Sequence, residues 1–164
     1  MSYTIRIGEA CVVDLEDDDE SSGSLWVEVG EVKHPEAPTF PGDEMTGNSN
    51  DRSPSYLGWS QFLEKCGLHY MFFNKADGLM QDHPGCVSLK QRHLDQVREA
   101  KVEWVRKHPG TIPGWCVCVE CRPFEKRAPA HNPNLDHVLA RLQWMEYWMA
   151  WALKNCAKPA LYNG

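Results

Sequence analysis

The stretch NLDHVLARLQWMEYWMAWALKNC, residues 134–156, decides the fold that this sequence predicts. Apolar residues recur in it at three- and four-residue spacing, which places them on one face of an α-helix: Leu135, Val138, Leu139, Leu142, Met145, Met149, Ala152 and Cys156. This stripe is widened far beyond a third of the circumference by four aromatic residues: Trp144, Tyr147, Trp148 and Trp151. Because a helix with so broad an apolar surface is normally buried on two sides, we expect the rest of the chain to fold around it.

The flanking residues predict where this helix begins and ends. Asn132 or Asn134 can cap its start, and Pro133 suits the first turn, where a missing N–H costs nothing. Lys154 complements the negative end of the helix dipole. Pro159 then stops the helix, because proline cannot continue the hydrogen-bond ladder.

Alternation of apolar and polar residues predicts strands over residues 3–13, 25–32 and 115–121. The first two strands form an antiparallel hairpin. Its polar tip, residues 14–24, contains the acidic run 16–20, whose charges must stay in water.

Two shorter helices and a long loop complete the predicted elements. One helix opens at Ser53-Pro54 and ends at Gly67, and the other begins at Ser88, which has capping-box spacing to Gln91. Residues 34–52 form the loop. The predicted fold class is therefore α+β: a small antiparallel sheet, made of the N-terminal hairpin and the later strand, packs on three main helices with the long tryptophan-rich C-terminal helix at the centre.

Length and composition predict a single domain over residues 1–164, with enough apolar content (42% and seven tryptophans) for a substantial core. There is no apolar run of about 18 residues, so we expect no membrane span. The N-terminal sequence MSYTIRIGEA lacks the basic and apolar regions of a signal peptide. These features predict a cytoplasmic protein whose seven cysteines are thiols.

Charge is distributed unevenly along the chain. Residues 1–51 hold 13 acidic and 2 basic side chains, a balance of −11, whereas residues 52–164 hold 10 acidic and 15 basic ones, a balance of +5. The C-terminal part could therefore accept an anionic ligand. The overall charge of −6 opposes polymeric nucleic acid, and no nucleic-acid recognition motif occurs.

Cys116, Cys118 and Cys121, followed by His131 and His137, are the candidate metal ligands. The C-x-C-x2-C spacing differs from the paired CxxC knuckles of structural zinc sites, and no second knuckle follows. On a strand, the first two cysteines share a face and pack as small apolar side chains. We therefore expect no metal and no other cofactor.

Cys86 is the candidate nucleophile. It follows His83-Pro84-Gly85 and precedes a predicted helix start, where backbone N–H groups would lower the pKa of a thiol. His83 or His93 could act as the base, but the sequence identifies no acid that would orient it. A buried structural thiol is the competing interpretation, and no common catalytic fingerprint occurs elsewhere.

A possible anion site surrounds the start of the same helix. Helix N-termini attract anions, and basic residues in the first turn are unfavourable for the helix itself, so their presence is informative. We expect a pocket for a nucleotide-like anion with stacking aromatic rings, formed by Arg52, Tyr56, Trp59, Asn74, His83, Gly85, Lys90 and Arg92. The competing interpretation is an ordinary helix with solvated basic side chains.

Four segments of the chain resemble a family of small uncharacterised proteins encoded by bacteriophages and prophages. They are YTIRIGEA (residues 3–10), PSYLGWSQF (54–62), LMQDHPGC (79–86) and RLQWMEYWMAWALKNCAKPALYNG (141–164). The family has no assigned activity, so the resemblance implies only a context, the cytosol of a bacterial host. Small phage proteins without enzyme motifs often sequester a small molecule or block a host protein.

Three functional hypotheses follow. The first is a non-enzymatic binding protein that sequesters a small anionic, nucleotide-like ligand. The second is an inhibitor that binds a host protein through the acidic hairpin. The third is a thiol-dependent enzyme that uses Cys86.

Overall fold

The computed structural model describes residues 2–15, 24–40, 48–80, 83–116, 118 and 130–164. Within these residues the elements, in chain order, are β1 (Ile5–Leu15), β2 (Ser24–Val29), β3 (Asp51–Arg52), α1 (Tyr56–Lys65), α2 (His69–Phe73), β4 (Gly85–Ser88), α3 (Gln91–Lys107), β5 (Ile112–Pro113), β6 (Leu135–Asp136), α4 (His137–Asn155) and β7 (Pro159–Asn163). An antiparallel sheet packs on the helices, so the α+β fold class predicted from the sequence is confirmed.

Strand β1 organises the sheet. Its first half pairs with β7 along one edge and with β3 along the other, and its second half pairs with β2. The predicted N-terminal hairpin is therefore confirmed. The order is β2-β1-β7-β4, with β3 beside β1, and all these pairs are antiparallel. The acidic run 16–20 at the hairpin tip lies outside the described residues.

The later strand of the sheet is not the one that the sequence predicts. Trp115 and Cys116 have no strand geometry, and most of residues 117–121 lie outside the described part of the chain. The chain instead adds β7, immediately after the long helix, and β4 beside it. Pro159 stops the helix as predicted, yet it also opens β7, because the first position of a strand tolerates proline.

Helix α4 lies at the centre of the core, as its apolar pattern predicts. Nine of its residues are buried, and Trp148 is fully so. They pack against apolar side chains from β1, α1, α2, α3 and β7. Among the described residues, no helix is long and apolar enough to cross a membrane.

Helix α4 is capped by a residue other than the predicted ones. The Asp136 carboxylate accepts hydrogen bonds from the backbone N–H groups of Val138 (2.8 Å) and Leu139 (3.0 Å), in place of Asn132 or Asn134. The start is later than predicted because Leu135 and Asp136 form β6, a parallel partner of β5. Pro133 is therefore outside the helix rather than in its first turn.

The starts of the two other long helices are also shifted. In α1 the cap is Ser55, which accepts the Gly58 N–H at 3.1 Å, rather than Ser53. Ser88 belongs to β4, where it pairs with Ala160, and α3 starts after Lys90. The predicted end of α1 at Gly67, with φ +75°, is confirmed.

The predicted loop over residues 34–52 is shorter than expected, because Asp51 and Arg52 form β3, and the buried side chain of Asn50 holds it to the sheet. The Asn50 amide accepts the Val32 N–H at 2.7 Å and donates to the carbonyls of Ile7 and Gly30 at 3.1 Å each. Within this loop, residues 41–47 lie outside the described part of the chain. Its first residues, around His34, reach the surface of α4.

Candidate ligand-binding cleft between two helices

A cleft of about 660 Å³ lies between α3, α4 and the segment 34–38. We call it the α3–α4 cleft. Its walls carry both charged and aromatic side chains, and they are His34, Glu36, Pro38, Arg98, Lys101, Gln143, Glu146, Tyr147, Ala150, Trp151, Lys154 and Asn155. This volume is in the range of pockets that hold small molecules.

Helical periodicity explains why these side chains meet. On α4 the wall residues recur every three or four positions from Gln143 to Asn155, mostly as adjacent pairs, so they form one stripe beside the buried face. On α3, Arg98 and Lys101 are three positions apart and face that stripe. The cleft is thus a consequence of how α3 packs on α4.

One carboxylate organises the charges of the cleft. Glu146 accepts hydrogen bonds from Arg98 Nε at 3.2 Å and from Lys101 Nζ. Two cations therefore share a single anion. With Lys154 and Glu36 also in the wall, the formal charge of the lining is +1 when His34 is neutral, although the whole chain carries −6.

Aromatic rings form another part of the wall. The Tyr147 hydroxyl is hydrogen-bonded to His34 Nδ1, and the His34 ring centroid lies 6.0 Å from that of Tyr147 and 6.2 Å from that of Trp151. Burial, and then the charge of Glu36, raises the pKa of Tyr147. Its hydroxyl therefore remains protonated around neutral pH and can donate or accept a hydrogen bond.

This arrangement suits a ligand that combines a flat ring with an anionic group. Trp151 and Tyr147 offer aromatic surface, and Arg98, Lys101 and Lys154 offer cationic donors. The amides of Gln143 and Asn155 add donors and acceptors.

The eight residues predicted to form an anion pocket are not brought together. Two of them belong to the interior. Trp59 is 2% exposed and packs against Phe62 and Phe72, so its ring cannot stack on a ligand. Arg52 is buried in β3, with its guanidinium over the Trp144 ring at 5.2 Å.

Three more of these residues lie at the end of the sheet. The Tyr56 hydroxyl is 2.7 Å from His83 Nε2, and His83 Nδ1 is 2.7 Å from the Oδ1 atom of Asn163, which is buried. Gly85 begins β4 and pairs with the same Asn163. The histidine thus connects α1 to the last residue of β7, which is a structural role.

The remaining three residues surround Asp77. The Asp77 carboxylate forms an ion pair with Arg92 and accepts a hydrogen bond from the Asn74 amide at 2.9 Å. Arg92 borders a cavity of about 80 Å³ with Asn74 and a second one of about 340 Å³ with Lys90. The predicted anion site therefore contains an anion of the protein itself, bound by Arg92.

The prediction that its surroundings lower the pKa of the Cys86 thiol is wrong. Cys86 lies within β4 rather than at a helix start, and burial raises the pKa of its thiol, with a further contribution from Cys11. Since the thiolate is the nucleophile, this environment makes Cys86 less reactive.

Sequence reasoning missed the α3–α4 cleft, although α4 contains a signal for it. Gln143, Glu146 and Lys154 are polar positions within a helix that is mostly apolar, and their spacing places them on one face with Tyr147. What the sequence could not show is that Arg98 and Lys101, 45 or more residues away, face the same stripe.

No family model, curated protein or solved structure matches this chain.

Proposed function

We propose that the protein is a non-enzymatic binding protein for a small anionic, nucleotide-like ligand, and that the α3–α4 cleft is its binding site. The observation that carries the proposal is the presence of aromatic rings and three cationic side chains around one cavity of about 660 Å³. A nucleotide offers the complementary features, a flat base and a phosphate.

The expected pose follows from the arrangement of the wall. The base lies against Trp151 and Tyr147, and the phosphate lies near Lys101, Arg98 and Lys154. Charge-assisted hydrogen bonds contribute ~1.5–3 kcal/mol each. Micromolar affinity, which corresponds to roughly −8 kcal/mol, therefore requires bonds from all three cations together with stacking of the base.

Calorimetric titration with nucleoside mono-, di- and cyclic phosphates tests the proposal. We expect micromolar binding that weakens with added salt, because partly exposed charges are screened. Lys154→Ala and Trp151→Ala should each weaken binding at least ~10-fold, which corresponds to ~1.4 kcal/mol. If no member of the panel binds below about millimolar, the proposal fails.

Two control variants locate the site. Arg106→Ala removes an exposed charge of α3 that pairs with Glu103 and is not part of the cleft wall, so affinity should not change. Arg92→Ala examines the site that the sequence predicts, at the other end of the same helix. If Arg92→Ala weakens binding and Lys154→Ala does not, the ligand binds at the start of α3 instead.

A second candidate function, inhibition of a host protein, is favoured by exposed apolar side chains on the two strands of the hairpin. Val12 (61% exposed) and Leu25 (70%) leave apolar surface in water there, and Val12 pairs directly with Val27, which is 41% exposed. Such apolar surface, on two strands that the acidic run 16–20 separates in the sequence, fits a protein partner with a basic rim. Both functions fit a phage-type factor in a host cytosol, which we propose from the segment resemblance alone.

Deletion of residues 16–20 separates the two candidates. If the hairpin binds a host protein, the deletion and the double variant Val12→Ser/Leu25→Ser should both abolish its capture from a bacterial lysate, and nucleotide titrations should be unchanged. If neither change affects capture, the hairpin is not the binding surface.

A further inference from the structure

Three side chains of types that bind metals lie close together just before α4, and they come from two separate segments of the chain. The Nδ1 atom of His131 lies 3.2 Å from Cys118 Sγ and 3.6 Å from Cys116 Sγ. All three candidate ligand atoms lie within 4.8 Å of one another. We propose that Cys116, Cys118 and His131 bind a zinc ion.

The distances fit the coordination chemistry of zinc. Tetrahedral zinc forms bonds of ~2.3 Å to thiolate sulfur and ~2.0 Å to imidazole nitrogen, which separates sulfur from nitrogen by ~3.5 Å. The two observed separations are close to this value. A set of two thiolates and one imidazole selects zinc over hard cations such as magnesium or calcium, which prefer oxygen.

A short parallel ladder holds the chain on both sides of the cluster. Strands β5 and β6 pair in parallel, and Ile112 N–H donates to the Asn134 carbonyl at 2.8 Å. Gly114 N–H donates to the Asp136 carbonyl at 3.2 Å. This ladder anchors the backbone on both sides of the ligands, just before Cys116 and just after His131.

Burial gives the site an inner and an outer side. Cys118 is 2% exposed and Cys116 is half-buried, whereas His131 is exposed. A metal can therefore enter from the histidine side. Three protein ligands leave the fourth tetrahedral position for a water molecule or a further donor. This inference goes beyond the proposed nucleotide site, because the ligands do not overlap with the wall of the α3–α4 cleft.

The sequence predicted no metal because the cysteine spacing lacks a second knuckle. Structural zinc sites are commonly formed by two short motifs on the chain. Here the third ligand comes from a segment that the β5–β6 ladder brings back, 13 residues after Cys118. The proposal therefore reverses the earlier expectation.

Zinc content of the untagged full chain, purified with reductant and dialysed against buffer, tests the proposal. We expect one zinc per chain, and thiolate-to-metal charge-transfer absorption when cobalt replaces zinc. Cys118→Ser and His131→Gln should each lower affinity by more than the ~10–100-fold that loss of an outer-shell partner costs. Cys11→Ser, which removes an exposed thiol outside the cluster, should leave zinc binding unchanged.

Two features keep the test decisive if Cys118→Ser unfolds the protein. His131 is exposed, so His131→Gln should remain folded and still lose zinc. Zinc binding to the wild type should also release close to two protons at neutral pH, because thiols bind zinc as thiolates, and calorimetry in two buffers measures this number. Absence of stoichiometric zinc, or equal zinc in the wild type, Cys118→Ser and His131→Gln, would overturn the proposal.

Discussion

Helices α3 and α4 each present two different faces: one packs into the core, and the other forms a wall of the α3–α4 cleft. On the core side of α4, Trp148 and Met149 are completely buried. On the cleft side, Glu146, Tyr147 and Trp151 are partly exposed. Helix α3 shows the same division between His93, Leu94 and Val97 on one side and Arg98 and Lys101 on the other.

The two faces contribute differently to the stability of the fold. Apolar burial of the core face stabilises the fold by roughly 1.5–3 kcal/mol for each large side chain. Partly exposed ion pairs such as Arg98–Glu146 contribute only ~0–1 kcal/mol. Side chains of the cleft can therefore be selected for a ligand with little loss of stability, and the two faces should respond differently to substitution.

The largest expected effect concerns the core face. Trp148→Ala should lower the free energy of unfolding by ~3–5 kcal/mol, because it leaves a cavity among fully buried side chains. Trp151→Ala, one turn away on the cleft face, should cost less than half of that. Denaturant unfolding of both variants measures the difference, and equal losses would show that the two faces are not distinct.

The next largest effect on the free energy of unfolding concerns the N-terminal cap of α4, which both faces share. Asp136→Ala should cost ~1–2 kcal/mol, since it removes the cap and the acceptor of the Trp104 Nε1–H bond. Asn134→Ala, at the cap that the sequence predicts, should change stability by less than ~0.5 kcal/mol. A larger loss in Asn134→Ala than in Asp136→Ala would place the cap where the sequence predicts it.

The core face could be predicted from the sequence because it depends on local periodicity. The spacing of Leu142, Met145, Trp148 and Met149 already identifies a buried helix. Strand β7 was not predicted, because only its pairing with β1 and β4 makes it a strand. Asp136 escaped as the cap for a similar reason, since the β5–β6 pairing delays the start of the helix.

The candidate sites could be predicted only in part. Cys116, Cys118 and His131 were recognised as possible ligands, but their approach depends on a ladder between distant segments. Arg92 was recognised as a basic residue at a helix start, whereas its neutralisation by Asp77, 15 residues earlier, depends on tertiary structure. In both cases the sequence shows the residue types, whereas the groups that they contact depend on tertiary structure.

A smaller effect on stability, with a clear effect on binding, is expected on the cleft face. Glu146→Gln removes the carboxylate shared by Arg98 and Lys101, and it should change the free energy of unfolding by less than ~1 kcal/mol. If the cleft binds an anion, the same change should strengthen nucleotide binding several-fold, because the wall becomes more positive. Glu103→Gln, which alters an ion pair of α3 that is not part of the cleft wall, should leave affinity unchanged. Weaker nucleotide binding by Glu146→Gln would contradict the assignment of the cleft to an anion.

The last expected effect is a pH dependence on the core face of α3. His93 is 3% exposed, and its Nδ1 atom accepts the Lys90 N–H at 3.1 Å. Burial lowers its pKa below the ordinary 6.5, with further lowering from Arg92 and Lys90 and an opposing effect of Asp77.

The unfolded chain therefore binds a proton near pH 6.5 that the folded chain does not, so stability is fully present above this pH and declines as pH falls below it. The slope of the free energy of unfolding against pH cannot exceed ~1.4 kcal/mol per pH unit for this one group. His93→Gln keeps an acceptor at the third helical position, as in a capping box, and removes the titration. We expect unfolding curves between pH 5 and pH 7 to show a shallower pH dependence for His93→Gln than for the wild type. An unchanged slope would mean that His93 titrates in the folded protein as it does in the unfolded chain, and that this part of the core face is open to water.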